Sequence, residues 1–196
     1  MSDLHASDPE PSPVAARAAA LEELLKAKGL VTDEFIDSVI ETYTDQVGPK
    51  NGAQVVARAW TDVEYKGRLL ADGKAAIAEM GFGGPEGNLD VVENTDDVHN
   101  VVVCTLCSCY PWAVLGLPPR WYKSPEYRAR MVREPRTLLR EMGVDLGGET
   151  EIRVWDSSAE KRYMVLPQRP AGSEGLGLEK LASLVTRDAM VGVARL

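Results

Sequence analysis

Cysteine, histidine and basic charge are all scarce in this chain. Its 196 residues include three cysteines and two histidines, and Lys plus Arg number 22 against 30 Asp plus Glu. The net charge of −8 argues against nucleic acid as a main partner, because phosphate binding needs a clustered basic surface. The one basic cluster, Arg120 to Arg140, is interleaved with Glu, Pro and Leu. It reads as a solvated helical face with ion pairs, or as an interface that offers arginine to a partner's carboxylates. No apolar run approaches the roughly 18 residues of a membrane span, so no membrane partner is expected. The opening MSDLHASDPEPSP is acidic and proline-rich and lacks the apolar core of a signal peptide, which predicts a cytoplasmic protein.

The composition is 44% hydrophobic and 27% charged, which suits one soluble domain with a real core and no need of disulfide staples. Residues 1–13 read as a disordered tail. PVAARAAALEELLKAKGL predicts a helix capped by Gly29. TDEFIDSVIETYTDQVG starts at a capping Thr32 and sets Phe35, Ile36, Val39, Ile40 and Tyr43 at helical spacing. Neither helix has chain enough around it for a core, so both read as an arm that packs on something else. Short helices follow, broken at Thr61-Asp62 and Asp72-Gly73, and then a glycine-rich loop, GFGGPEGN.

Beyond that loop the period changes. LDVVENT and VHNVVVC predict one hairpin, and EIRVWDSS and RYMVLPQRP a second. A helical stretch broken at Pro135 lies between them, and LEKLASLVTRDAMVG closes the chain with a short helix and a final turn. The expected class is α+β. The expected division is a tail over 1–13, a helical arm and helices over 14–80, and a metal-binding α+β domain over 81–196.

All three cysteines fall in Cys104–Cys109, as CTLCSC. An odd count cannot pair within one chain, and a cytosolic cysteine cluster points to metal or redox chemistry. Three sulfurs leave tetrahedral zinc one ligand short. His5 sits in the tail, and His99 lies some 16 Å from Cys104 along an extended strand. A redox pair of Cys104 and Cys107 lacks the usual βαβ setting. Three unligated buried thiols are the plain alternative, although a serine between them makes a poor apolar plug. The peptide nitrogens of Ser108 and Cys109 offer another completion. Deprotonated, they would join the three sulfurs in a five-ligand claw, with a sixth position open. Only a strongly Lewis-acidic ion such as trivalent iron or cobalt suits that set.

VCTLCSCYPW resembles the metal-binding motif of the nitrile hydratase α subunit. AWTD, LLADG, VENTDDVHN, VLGLPPRWY, VREPR, VWDSS and VLPQRPAG match the same family, and the likeness runs over residues 15–193. Thr105 and the Tyr110-Pro111-Trp112 run resemble the cobalt members; iron members carry serine at the first place and threonine after the last cysteine. The resemblance implies a helical arm and an α-β-β-α layered domain. It implies cobalt(III), with iron(III) the lesser candidate, held by Cys104, Cys107 and Cys109 and the amides of Ser108 and Cys109. Cys107 would reach the sulfinic level and Cys109 the sulfenic level. Arginines of a β subunit, whose role can be split over two chains, would hold the anionic sulfur oxygens.

The implied reaction is hydration of a small-molecule nitrile to its amide, with Cys107, Ser108 and Cys109 as the catalytic group. The nucleophile is the Cys109 sulfenate oxygen or an activated water. Ser108 would hydrogen-bond within the claw, and Thr105 would support it. Tyr110 would shape the entrance, and Trp112 and Trp121 would flank the claw as packing or interface anchors, with substrate contact the lesser reading. Asp156, Glu160 and Arg162 read as charges on a hairpin turn, or, by the resemblance, as a polar network beneath the site or across the subunit interface. Glu86 stands near the place of a family glutamine that faces the substrate channel, in a loop one residue shorter, and reads as a solvated carboxylate or a channel wall. An activator protein that delivers the metal is a further implied partner. Two other functions remain: a thiocyanate hydrolase γ-type subunit, which shares CTLCSC but tends to carry arginine where Trp112 stands, and a cobalt carrier inactive without its β partner.

Overall fold

A computed structural model describes residues 13–84 and 87–196. The expected tail up to residue 12, with His5, and the candidate Glu86 lie outside the described residues. The chain divides into two compact units, one ending at Glu41 and one running from Thr42 to Leu196. Among the described residues no helix is long and apolar enough to cross a membrane.

The first unit holds α1 (Pro13–Ala27) and α2 (Asp33–Glu41). Thr32 Oγ1 accepts from the Phe35 amide at 3.2 Å and caps α2. Lys26 bridges the two helices through Asp33, and also meets Glu22 and Glu23. Neither helix has a buried residue. Leu21, Leu24, Phe35 and Ile40 are all exposed.

The second unit opens with a π-helical stretch, Thr42–Val47, and continues through α3 (Lys50–Thr61), α4 (Val63–Ala71) and α5 (Gly73–Ala78). Helices α3 to α5, grouped with the arm by sequence, pack here with the strands. The breaks fall where aspartate competes with the helix. Asp62 Oδ1 accepts from the Tyr65 amide at 2.8 Å, and Asp72 Oδ1 from the Ala75 amide at 2.9 Å. Each ends one helix and caps the next.

Four strands follow, interleaved with helices: β1 (Asn88–Glu93), β2 (Val98–Val103), α6 (Trp112–Leu115), α7 (Pro125–Arg133), α8 (Pro135–Glu141), β3 (Glu151–Asp156) and β4 (Lys161–Leu166). The two expected hairpins do not form. β1 pairs in parallel with β4, Asn88 opposite Lys161, and β2 pairs in parallel with β3, Val98 opposite Glu151. The reason is burial. Val101, Val102 and Val103 are all sealed from solvent, and an unbroken apolar strand belongs in a parallel pair covered on both faces, whereas a surface hairpin alternates. Each short link, Asn94–Asp97 and Ser157–Glu160, carries the chain from one two-stranded sheet to the other.

The two sheets meet through β2 and β4. Helices α4 and α5 cover β1, α8 covers β3, and the final helices α9 (Leu178–Leu184) and α10 (Arg187–Val191) pack on α3 and on β2 and β4 respectively. The class is α+β, as expected. The close of the chain is two short helices, with Thr186 capping α10. Val55, Tyr65, Leu69, Met131, Leu139, Met164 and Met190 fill the core without measurable exposure.

Two arginines of the basic stretch have structural uses. Arg130 meets Glu126, Glu134 and Glu141 on the solvent side of α7 and α8. Arg136 donates to the carbonyls of Leu146, Gly147 and Thr150 and ties α8 to the approach of β3.

Candidate metal centre

The thiol loop hangs from the end of β2. Val103 closes the strand, and its carbonyl accepts from the Ser157 amide at 2.7 Å just past the end of β3. Cys104 is buried at the strand end, Cys107 is exposed and Cys109 is half-buried, and all three are free thiols. The Sγ atoms of Cys104 and Cys107 stand 3.4 Å apart, and those of Cys107 and Cys109 3.1 Å apart. All three sulfurs lie within 4.8 Å of one another, so one ion can reach them together.

The loop is pinned at both ends. Asp156 accepts from the Thr105 amide at 2.9 Å and from Thr105 Oγ1 at 2.6 Å. Tyr122, in a 3₁₀ turn over Trp121–Lys123, donates its hydroxyl to the Cys109 carbonyl at 3.0 Å. Behind the loop Tyr110 meets Tyr122 edge-on at 4.9 Å, Trp121 meets Tyr127 edge-on at 4.9 Å, and the Tyr127 hydroxyl donates to the Val102 carbonyl at 2.6 Å. Rigid aromatic packing of this kind fixes geometry at little entropic cost. Trp121 is therefore a packing residue behind the claw, whereas Tyr122 carries a contact that no motif signalled.

Backbone N–H groups also turn inward. The Cys107 amide donates to Cys104 Sγ at 3.3 Å. Hydrogen bonds with the Cys109 and Cys104 thiols, helped by the backbone of Cys109 and Ser108, lower the Cys107 pKa to about 7. Burial and the shared hydrogen bond with Cys107 push Cys109 up to about 12. The pair thus gives up one proton easily and holds the next. Three soft sulfurs within reach of one ion fit a thiolate-loving metal.

The thiols open onto a cleft of about 350 Å³ lined by Tyr43, Cys107, Ser108, Cys109, Tyr110, Trp112 and Arg162. Trp112, 38% exposed, stands at the start of α6, while Tyr110 is buried. Among the three expected polar residues, Asp156 holds the loop and Arg162 reaches the cleft. The Arg162 guanidinium donates to the Ala159 carbonyl, and its Nε is buried without a partner. Glu160 does not line the cleft; it stays exposed on the β3–β4 turn, where its carbonyl accepts from the Asn88 amide at 2.8 Å. Tyr43, read by spacing as part of the arm's apolar stripe, belongs to this cleft instead.

His99 is committed elsewhere and is no fourth ligand. Its Nε2 meets the Gly192 carbonyl at 2.8 Å and its Nδ1 meets Asn94 Nδ2 at 3.4 Å. Asn94 Oδ1 already accepts from the Asn100 amide at 2.7 Å, so the Asn94 amino group faces the ring. Nδ1 is therefore the acceptor, and the imidazole is neutral with its proton on Nε2.

Comparison with known proteins agrees with this geometry. The family model described as nitrile hydratase, alpha chain, matches residues 12–194. The cobalt-containing nitrile hydratase subunit alpha of Pseudonocardia thermophila is 58% identical over 182 residues, covering 92% of this chain and 89% of its own. The thiocyanate hydrolase subunit gamma of Thiobacillus thioparus is 44% identical, covering 89% of this chain and 76% of its own. A solved double mutant of the Fe-type nitrile hydratase of Comamonas testosteroni Ni1 superposes with a TM-score of 0.86 at 46% identity, covering 93% of this chain and 90% of that one. With the family model matched over nearly the full length and a relative 58% identical, the chain belongs to the nitrile hydratase alpha-chain family.

Proposed function

We propose that this chain is the metal-binding subunit of a nitrile hydratase, converting R–C≡N and water to R–CO–NH₂ at a cobalt(III) centre in company with a β subunit. The observation that carries the reading is the convergence of three thiols within reach of one ion, two of them lining an open cleft. Cys104, Cys107 and Cys109, with the amide nitrogens of Ser108 and Cys109, would hold the metal. When bound, cobalt(III) supplies Lewis acidity that draws electron density from the nitrile carbon.

The chain's own residues do the rest. Asp156 and Tyr122 hold the two ends of the loop, so the sulfurs need little reorganisation. The carbon gains a C–O bond and the nitrogen gains two protons, with no net redox change. The oxygen comes from a water held beside Cys109, or from Cys109 at the sulfenate level, whose S–O bond would break as the same water's oxygen replaces it on sulfur without redox change. Exposure supports the expected oxidation pattern: Cys107 and Cys109 line the cleft, where an oxidant can reach them, whereas Cys104 is sealed. Arg162 brings positive charge to the same wall.

Cobalt is favoured over iron by Thr105 and the Tyr110-Pro111-Trp112 run, and by cobalt-containing relatives. The overall fold does not discriminate, since an Fe-type structure shares it. Exposed Leu24, Phe35 and Ile40 on the arm support a partner surface for the β role, carried by one chain or two. A cytoplasmic location and an activator that delivers the metal complete the reading.

The test is coexpression with the neighbouring subunit and activator genes in cobalt medium, followed by metal analysis and conversion of acetonitrile to acetamide. About one cobalt per chain with amide formation is the expected result. Zinc or no metal, with no amide, would sink it; thiocyanate consumption without nitrile hydration would move the assignment to the gamma-type relative.

A further inference from the structure

We infer that Tyr43 is a specificity-determining residue of the cleft, forming with Trp112 the wall against which the organic group of the substrate packs. The inference rests on the nitrile hydratase reading above and names the side of that site which selects the substrate. Tyr43 and Trp112 line the same cleft as Cys107, Ser108 and Cys109. A nitrile whose nitrogen is directed at the thiol floor must lay its R group elsewhere in the same space. The two rings stand edge-to-face, with centroids 5.4 Å apart and planes at 71°. Tyr43 is half-buried and Trp112 partly exposed, so both keep surface that a ligand can cover.

The ring of Tyr43 is held there by its backbone. Tyr43 lies in the π-helical stretch Thr42–Val47, an irregularity found often at functional sites. Its carbonyl accepts from the Gly48 amide at 3.0 Å. Gly116, at φ +68°, closes α6 directly over this carbonyl, and a Cβ there would stand 2.3 Å from it. Asn51 Nδ2 donates to the Ala113 carbonyl at 3.0 Å and fixes α3 to α6. The π-helical stretch and α6 therefore form one corner, with an aromatic ring from each lining the cleft that Cys107 and Cys109 also line. A flat, preorganised aromatic corner favours flat or bulky apolar groups over a methyl group.

The experiment uses the cobalt-loaded complex with its β subunit, comparing Tyr43→Ala and Tyr43→Phe with the wild type on benzonitrile and acetonitrile. For Tyr43→Ala the ratio of kcat/KM for benzonitrile over acetonitrile falls by roughly 2- to 12-fold, the scale of one aromatic contact. The dissociation constant of benzamide, read by calorimetry, rises in step, and cobalt per chain stays at the wild-type level. Tyr43→Phe keeps the wild-type ratio because the ring is kept. Tyr43→Leu, which preserves apolar bulk, serves if the alanine variant does not load metal. An unchanged ratio in loaded Tyr43→Ala or Tyr43→Leu overturns the assignment, as does a Tyr43→Phe ratio that falls as far as the alanine one. Failure of the wild-type complex to hydrate either nitrile would overturn the parent reading, and this inference with it.

Discussion

Asp156 holds Thr105 twice, through the backbone amide at 2.9 Å and the side-chain hydroxyl at 2.6 Å. One carboxylate thus fixes the residue that follows the first sulfur of the cluster. Asp156→Asn keeps the shape but replaces one acceptor oxygen with a donor. Outer groups that orient metal ligands are typically worth roughly 10- to 100-fold in metal affinity. We expect that loss for Asp156→Asn, a smaller one for Thr105→Val, and near-normal loading for Thr105→Ser. Metal per chain across a chelator titration would show it. Full cobalt affinity in Asp156→Asn would remove the loop-fixing role.

The three thiols should differ in reactivity before metal arrives. The Cys107 pKa is lowered to about 7 by its neighbours' hydrogen bonds, so its thiolate is available above that pH and lost below it. Cys109 is held up near 12, and Cys104 is sealed. Brief iodoacetamide labelling of metal-free chain, mapped by mass spectrometry, should mark Cys107 first, with a midpoint near pH 7. Loading with metal should abolish the labelling. Equal labelling of all three would contradict the geometry.

Stability should depend on pH through His99. Burial is the main cause lowering its pKa from the ordinary 6.5, and Arg195 adds to it. In the window below 6.5 the unfolded chain binds more protons than the folded one. Stability is therefore complete above about 6.5 and is lost as pH falls toward the folded pKa. A protonated Nδ1 would also face the Asn94 amino group, donor against donor. His99→Gln should flatten this part of the profile, measured as denaturation midpoints from pH 5 to 7.5. An unaltered slope in the variant would assign the dependence to other groups.

The arm offers a different kind of test. Phe35 is 59% and Ile40 47% exposed, so Phe35→Ser and Ile40→Ser should move the stability of the isolated chain by no more than about 0.5 kcal/mol. If α2 is a partner surface, the same changes weaken assembly with the β subunit by about 1 kcal/mol or more each. Sedimentation of the mixed subunits would separate the two effects. Assembly at wild-type affinity would place the partner surface elsewhere.

Local chemistry in the sequence carried much of this structure. Asp62 and Asp72 announced helix breaks because a short carboxylate competes with the backbone for the first free amides. The clustered cysteines announced a ligand set, and the spacing already allowed the amides to join it. Strand positions were legible from their β-branched runs, but partners were not, since adjacent runs resemble a hairpin whether or not they pair. Burial of β2 on both faces decided the pairing, and burial depends on distant helices. Tyr43 was hidden for a related reason. It continues the spacing of Phe35, Ile36, Val39 and Ile40, and no residue pattern marks where an α-helix gives way to a π-helical stretch. Glu160 was suggested by its charge, yet its backbone is what the fold uses.

The parallel pairing of β2 with β3 has a consequence for how the protein is made. Thr105 precedes Asp156 by 51 residues, so the cysteines leave the ribosome well before the carboxylate that fixes their loop. A nascent chain ending before β3 carries all three thiols and Tyr122 but lacks the Asp156 carboxylate that fixes Thr105. During translation the thiols are therefore a loose chelating peptide, open to any soft metal in the cell. Discrimination between metals has to come from timing and delivery, or from the frame once the last strands have closed.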